Sequence, residues 1–301
     1  MAKNVLIAGG SGSIGRQLTK LLLGKNFSVS WLSRDNKTTE GVKTLFWNYE
    51  ENIIDEKALS GIDIIINLAG AGIAEKKWTK ERKKVLKESR IKTTNLLLNK
   101  IEENSKTVKA YISASAIGYY GYDSGSIEKK EGSRFGDDFL ATLTKEWEAA
   151  ADGFSKKSIR TVKLRTGFVV GKNQNGWEKI AGIVKTGFGA AVGSGEQYMS
   201  WIHIDDLCRV YLWVIENENA EGVYNAVAPN PVTNKEFTRQ VARALKKPFF
   251  MPNVPGFILR LMYGEIASAL LGSSRVSSGK IQNEGFHFKF PTLTEALQEI
   301  K

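Results

Sequence analysis

Seven residues near the amino terminus, GGSGSIG at 9–15, constrain this chain more than any other stretch. They follow a short apolar run, NVLIAG (4–9), and open SIGRQLTKLLLGKN (13–26), whose apolar residues recur at helical spacing. The glycines fall as Gly9-x-x-Gly12-x-x-Gly15 and, overlapping, as Gly10-x-Gly12-x-x-Gly15. Alone the pattern is weak; between a strand and a helix it points to a bound dinucleotide. Glycine permits the tight turn and lets backbone N–H groups approach a pyrophosphate, which the helix dipole then favours. On this reading Gly9, Gly12, Ser13, Ile14 and Gly15 hold the cofactor.

The rest of the first half keeps the same rhythm. SVSWLS (28–33), KTLFWN (43–48), DIIINLAG (63–70), KAYISAS (109–115) and RTVKLRTG (160–167) read as buried strands. KKVLKESRIKTTNLLLNKIEEN and GDDFLATLTKEWEAAADGFS read as amphipathic helices between them. Strand–helix alternation means βαβ units, hence an α/β fold: a Rossmann-type, doubly wound parallel sheet. All six prolines lie after residue 228, and APNP (228–231) marks a hinge. The expected organisation is a nucleotide-binding domain over 1–170, with a return segment at about 201–228. Residues 171–200 and 229–301 would form a smaller, mostly helical substrate or cap domain. In that cap the Met and Leu positions read as core, and Arg275 and Lys280 as surface.

The second strand ends in Ser33 and Arg34, with Asp35 arriving late. An acid at the strand end bonds a ribose 2′-hydroxyl, whereas an arginine accommodates a 2′-phosphate. The expected cofactor is NADP(H) rather than NAD(H), the alternative being that Arg34 is a surface charge paired with Asp35. At the end of the fourth strand, Leu68, Ala69 and Gly70 would let the cofactor lie against the backbone.

The ordered series GGSGSIG, NLAG, SASAIGYYG (113–121), LRTGFVVG and SWIHIDD resembles the extended short-chain dehydrogenase/reductase superfamily, in its epimerase/dehydratase branch. Across essentially the whole chain it resembles a narrower group. Its members are labelled epimerase family protein or nucleoside-diphosphate-sugar epimerase and carry a C-terminal domain of unknown function. The resemblance implies a serine that bonds the substrate oxygen, with Ser115 first and Ser113, beside the cofactor, second. It also implies a tyrosine as acid or base, four residues before a lysine on one helix face. No Tyr-x-x-x-Lys occurs here: Lys145 is preceded at that spacing by Ala141. Lys145 would still bond the cofactor ribose, or else be a solvated lysine beside Glu146. Tyr119 and Tyr120 are the substitute donors, or else pack the loop. By resemblance the backbone of Thr166, Gly167 and Phe168 passes the nicotinamide, and Gln197 and Trp201 line the substrate cleft. The implied activity is hydride exchange with an unknown carbonyl or nucleotide-sugar-like small molecule. A non-catalytic NADP(H) sensor is the rival reading.

The net charge of +11 raises a nucleic-acid partner. Much of the base lies in EKKWTKERKKVLKESRIK (75–92), interleaved with Glu81 and Glu88 at helical spacing. It reads as a solvated helix face, so no specific nucleic acid is expected. Cys208 is the only cysteine, which suits a reducing cytoplasm and leaves no disulfide framework. No run reaches the ~18 apolar residues of a membrane span, so a cytoplasmic protein without a membrane partner is expected. Two distant histidines argue against a zinc site. Of these, His203 reads as a cap for the helix that follows it. Nothing in the sequence sets the oligomeric state.

Overall fold

Strand β1 (Asn4–Ala8) has no exposed face: Val5, Leu6, Ile7 and Ala8 are all fully buried. A strand buried on both sides needs layers above and below it, as in a parallel sheet covered by helices. The computed structural model, which describes residues 3–35, 41–104 and 107–300, has that arrangement. After β1 the chain forms α1 (Ser13–Leu23), β2 (Ser28–Ser33), β3 (Lys43–Asn48), β4 (Ile53–Ile54), β5 (Ile64–Asn67) and α2 (Lys80–Asn104). Then come β6 (Ala110–Ala116), a 3-10 turn (Ile117–Tyr120), α3 (Phe139–Ser155) and β7 (Arg160–Thr166). Further on are β8 (Phe168–Val170), α4 (Asn175–Lys185), β9 (Tyr198–Met199), β10 (Trp201–His203), α5 (Ile204–Glu216) and β11 (Gly222–Ala226). The chain closes with β12 (Val232–Thr233), α6 (Asn234–Ala244), α7 (Gly256–Tyr263), α8 (Ile266–Leu271), α9 (Gly279–Asn283) and α10 (Leu293–Ile300).

The main sheet runs β11-β7-β6-β5-β1-β2-β3-β4 among the described residues. Every pairing in it is parallel except β3 with β4. The six strands expected from the sequence are all present; β4, two residues long, is not legible in a periodicity. The strand order places α1 and α5 on one face and α2 and α3 on the other. Leu18, Leu22, Leu207, Val210 and Tyr211 pack on Val5, Ile7 and Ile66. On the opposite face Leu96, Leu97, Ala151 and Phe154 pack on Leu6, Ile65 and Tyr111. Each such leucine, isoleucine, valine or phenylalanine side chain contributes roughly 1.5–3 kcal/mol by leaving water. A separate cluster joins α4, α6 and α10 through Trp177, Phe237, Val241, Leu293 and Leu297.

Three expectations need correcting. The basic segment is helical only from Lys80, because Trp78 turns inward to donate to the Ile73 carbonyl. Arg275 and Lys280 are half-buried: Lys280 Nζ donates to the Val223 carbonyl, and Arg275 lies over the Tyr198 ring. The Met and Leu positions of the cap are not all core, since Leu261 is 81% exposed and Met262 54%. Helix α7 is only eight residues long and buries Leu259 alone.

Candidate functional site

The glycine loop is held by packing as much as by flexibility. Gly9 has φ +82, and a Cβ there would lie 3.0 Å from the Ala69 nitrogen. At Gly15 a Cβ would sit 2.5 Å from the carbonyl oxygens of Gly9 and Gly10. The loop therefore lies flat against Leu68 and Ala69, at the carboxyl edge of β1 and β5. Helices α3, α5 and α6 are capped by the side chains of Asp138, His203 and Thr233, while α4, α7, α8 and α9 start without a side-chain cap. Helix α1 begins at Gly12 with no side-chain cap, so its first-turn N–H groups, including those of Ser13 and Ile14, are left for another acceptor. That start fits a pyrophosphate. Ser13 Oγ donates to Gln174 Oε1 at 3.0 Å, tying the helix start to the loop after β8.

At the end of β2, Ser33 Oγ accepts from the Asp35 N–H at 3.1 Å. Arg34 is exposed and makes no ion pair with Asp35 or with any other described residue. Gly70 is exposed as well, and a Cβ on it would come within 3.1 Å of the Arg90 guanidinium carbon. Arg90 itself is 8% exposed, donates to the carbonyls of Leu86 and Ala71, and lies over the Trp147 ring. Burial, and then the charge of Arg82, pull its pKa down to about 10.

Strand β6 brings Ser113 and Ser115 to one face, and the side chains beside them are committed to one another. Ser113 is buried and donates to the Ala114 carbonyl. Ser115 is 5% exposed and donates to Glu148 Oε1 at 2.6 Å. Glu148 in turn receives Arg165 through two bonds, Nε to Oε1 and Nη2 to Oε2, both 2.8 Å. Burial alone would lower the Arg165 pKa, but the hydrogen bonds and charge of Glu148 outweigh it and hold the guanidinium protonated. Tyr120 donates to Asn225 Oδ1 at 2.7 Å and accepts from Arg165 at 3.0 Å; burial raises its pKa despite that cation. Tyr119 differs from its neighbours. Its ring lies 3.4 Å from the Arg165 guanidinium carbon and edge-on to Tyr120 and Phe135. Its hydroxyl makes no hydrogen bond among the described residues.

Lys145 does not join this cluster. The face of α3 that meets β6 carries Glu148, with Thr144 and Leu140 one and two turns above it against Gly118. Lys145 lies about 100° round the helix from Thr144. It is exposed, with its ammonium 3.8 Å from the Phe135 ring centre. Ala141 is fully buried, and its N–H is capped by Asp138. Thr144 spends its hydroxyl on the Leu140 carbonyl.

The remaining candidates are largely internal. Trp201 is fully buried, and its indole donates to the Asn230 carbonyl, so it is a core residue rather than a cleft wall. Gln197 is 7% exposed and donates to the Val192 carbonyl. At Gly167 the space of a missing side chain is filled by the Ser200 carbonyl and Val227. Thr166 bonds the Leu164 carbonyl, and the Phe168 ring packs edge-on against Phe237. A cavity of about 440 Å³ lies between α1 and α5, lined by Ser13, Arg16, Lys20, Lys172 and His203, among others. No serine-strand residue lines it, so it is not where the chemistry of β6 would occur.

Sequence reasoning missed Glu148, Arg165, Asn225 and Glu131, which accepts from the Asn225 N–H. A signal was present: Lys163 and Arg165 are charges inside a strand buried on both faces, and buried charges need partners. Lys163 pairs with Asp152, one turn beyond Glu148.

The model of the NAD dependent epimerase/dehydratase family matches residues 5–226, and a domain of unknown function (DUF1731) matches 254–300. An epimerase family protein of Staphylococcus aureus (strain MRSA252) is 33% identical over 298 residues, 99% of each chain. One from Mycobacterium leprae (strain TN) is 34% identical over 294 residues, 97% of this chain and 94% of that protein. The crystal structure of human epimerase family protein SDR39U1 (isoform 2) with NADPH has a TM-score of 0.86 and 33% identity, covering 99% of this chain and 98% of that one. The Thermus thermophilus UDP-glucose 4-epimerase complex with NAD, at 19% identity and a TM-score of 0.77, covers 99% of this chain and 97% of that one and shares the fold.

Proposed function

The chain belongs to the NAD dependent epimerase/dehydratase family, and on that premise we propose that it is an NADP(H)-dependent oxidoreductase or epimerase whose proton donor is Tyr119. Its substrate is a small carbonyl compound, a secondary alcohol or a nucleotide-sugar-like molecule. Bound NADP(H) supplies hydride exchange at nicotinamide C4. The loop from Gly9 to Gly15 and the start of α1 hold the pyrophosphate. Arg34 reads the 2′-phosphate, and the backbone of Leu68, Ala69 and Gly70 carries the ribose side. Residues 1–170 with 201–228 form the nucleotide-binding unit; 171–200 and 229–301 form the cap. The NADPH in the human relative supports the cofactor.

The hydroxyl of Tyr119, without a hydrogen-bond partner among the described residues, carries the assignment of the donor. Ser113, Ser115 and Tyr120 all donate to protein acceptors. Tyr119 keeps its proton available, and the face of its ring is clamped by Arg165. Ser115 then acts through its oxygen: with its proton given to Glu148, its lone pairs accept from a substrate hydroxyl. Acid–base help of this kind is worth about 10²–10⁴-fold.

A non-catalytic NADP(H) sensor is the second reading. It is favoured by Ala141, which is fully buried and has no acid to offer, and by Lys145, which is exposed and lies against Phe135 instead of beside Ser115. Turnover of carbonyl compounds and nucleotide sugars with NADPH separates the two. Tyr119→Phe should lower the rate by about 10²-fold or more and leave NADPH affinity unchanged. An unchanged rate retires Tyr119 as donor; full NADPH affinity with no turnover of any compound supports the sensor.

A further inference from the structure

The stretch 243–264 contains Arg243, Lys246, Lys247 and Arg260 and no acidic residue. All four are exposed, and none is in an ion pair with a described residue. Among them stand large apolar side chains in water: Phe250 at 72% exposure, Phe257 at 69% and Leu261 at 81%. Phe188, also exposed, stands at the start of the segment that runs parallel to this one, the two being joined by the bonds Val254 N–H to Ala191 and Gly193 N–H to Val254. The neighbouring residues do pack: Phe249 joins the α4–α6–α10 cluster and Leu259 is buried. The exposed set is therefore a built surface on an ordered element, not a loose end.

Its shape and charge select the occupant. Side chains this exposed protrude, so they suit a yielding medium better than a groove-bearing protein. Two-fold pairing with a second copy would bring the like-charged clusters of both copies together. Protruding aromatic and aliphatic residues ringed by lysine and arginine match the boundary between headgroups and acyl chains of an anionic bilayer. We propose that the face formed by Phe188, Phe250, Phe257 and Leu261, with its four flanking cations, docks on the surface of an anionic membrane. No helix among the described residues is long and apolar enough to cross one, so the attachment lies in the interface. The docking element adjoins α8, whose Ile266 packs with Trp78, Leu86 and Leu143, while Glu265 pairs with Lys83 of α2 at 2.6 Å. Attachment would thus bring the packed pair α2 and α3 towards the lipid.

The test is co-sedimentation of the full chain with vesicles of phosphatidylcholine, alone or mixed with phosphatidylglycerol. Binding is expected to the mixed vesicles only, falling roughly tenfold as added salt screens the cations. The exposed double variant Phe257→Glu/Leu261→Glu should abolish it without changing the melting curve or NADPH affinity. No binding to mixed vesicles, or binding that the double variant retains, overturns the proposal. So does a wild-type dimer in the ultracentrifuge that the double variant dissolves when no vesicle binding is seen, because the face then belongs to a second copy.

Discussion

The hydroxyl of Ser115 on β6 and the carboxylate of Glu148 on α3 meet at 2.6 Å. Arg165 grips both oxygens of the same carboxylate, and Glu148 and Arg165 are only 6% and 2% exposed. Removing one member of such a pair strands the other charge in the core. Glu148→Ala should therefore cost about 3–5 kcal/mol. Ser115→Ala, which removes one hydrogen bond to a charged group, should cost about 1.5–3 kcal/mol. Denaturant melts of both variants provide the measurement; equal, small losses would mean that the network does not hold the fold together.

Arg34, at the end of β2, has no ion-pair partner among the described residues, and no acid at the strand terminus favours a 2′-hydroxyl. NADPH should bind more tightly than NADH, and Arg34→Ala should weaken NADPH roughly tenfold, about 1.4 kcal/mol, while leaving NADH little changed. Titration by fluorescence quenching measures both. A preference that survives the substitution removes Arg34 from the recognition of the phosphate.

His203 caps α5 by accepting the Asp205 N–H on Nδ1 at 3.2 Å, a bond that only the neutral ring can make. Burial holds its pKa below the ordinary 6.5, outweighing the opposing charges of Asp205, Asp206 and Glu299, while Lys289 adds to the lowering. The unfolded chain then binds a proton that the folded chain refuses. This contribution is whole above about pH 6.5 and shrinks as pH falls towards the folded value. Melting temperatures should drop on acidification through that window. His203→Asn, which keeps a capping acceptor and removes the titration, should flatten the drop. Identical slopes in both proteins would exclude His203 as the cause.

The basic helix α2 should not make this a nucleic-acid-binding protein. Arg82 pairs with Glu75, Lys83 with Glu265 and Lys87 with Glu146, while Glu88 lies between Lys84 and Lys92. Gel shifts at physiological salt should show weak retardation that fades as salt rises. Tight binding to one preferred sequence would contradict this.

The sheet was legible because strands buried on both faces, such as β1 and β5, leave continuous apolar runs, and because the half-exposed KTLFWN alternates buried Leu45 and Trp47 with exposed Phe46. The candidate site was legible only up to the backbone. A lysine in an amphipathic helix announces itself, but its facing does not: Lys145 points outward, and its neighbour Thr144 turns in. The partnership of Glu131 with Asn225 spans 94 positions, and no local pattern announces it. Helical spacing made Leu261 and Met262 look like core. Spacing reports which residues share a face; only the neighbouring elements decide whether that face is covered.

Among the described residues strand β11 pairs only with β7, and it does so after the chain has left the sheet and travelled through α4, β10 and α5. During synthesis, every other strand of the sheet can find its neighbour before Gly222–Ala226 emerges from the ribosome. Until then the outer edge of β7 offers unpaired amides and carbonyls along Arg160–Thr166, a template for any other extended chain. A nascent chain stalled in that interval would be vulnerable to intermolecular strand pairing. A fragment ending before β11 would aggregate rather than persist as a free-standing nucleotide-binding module.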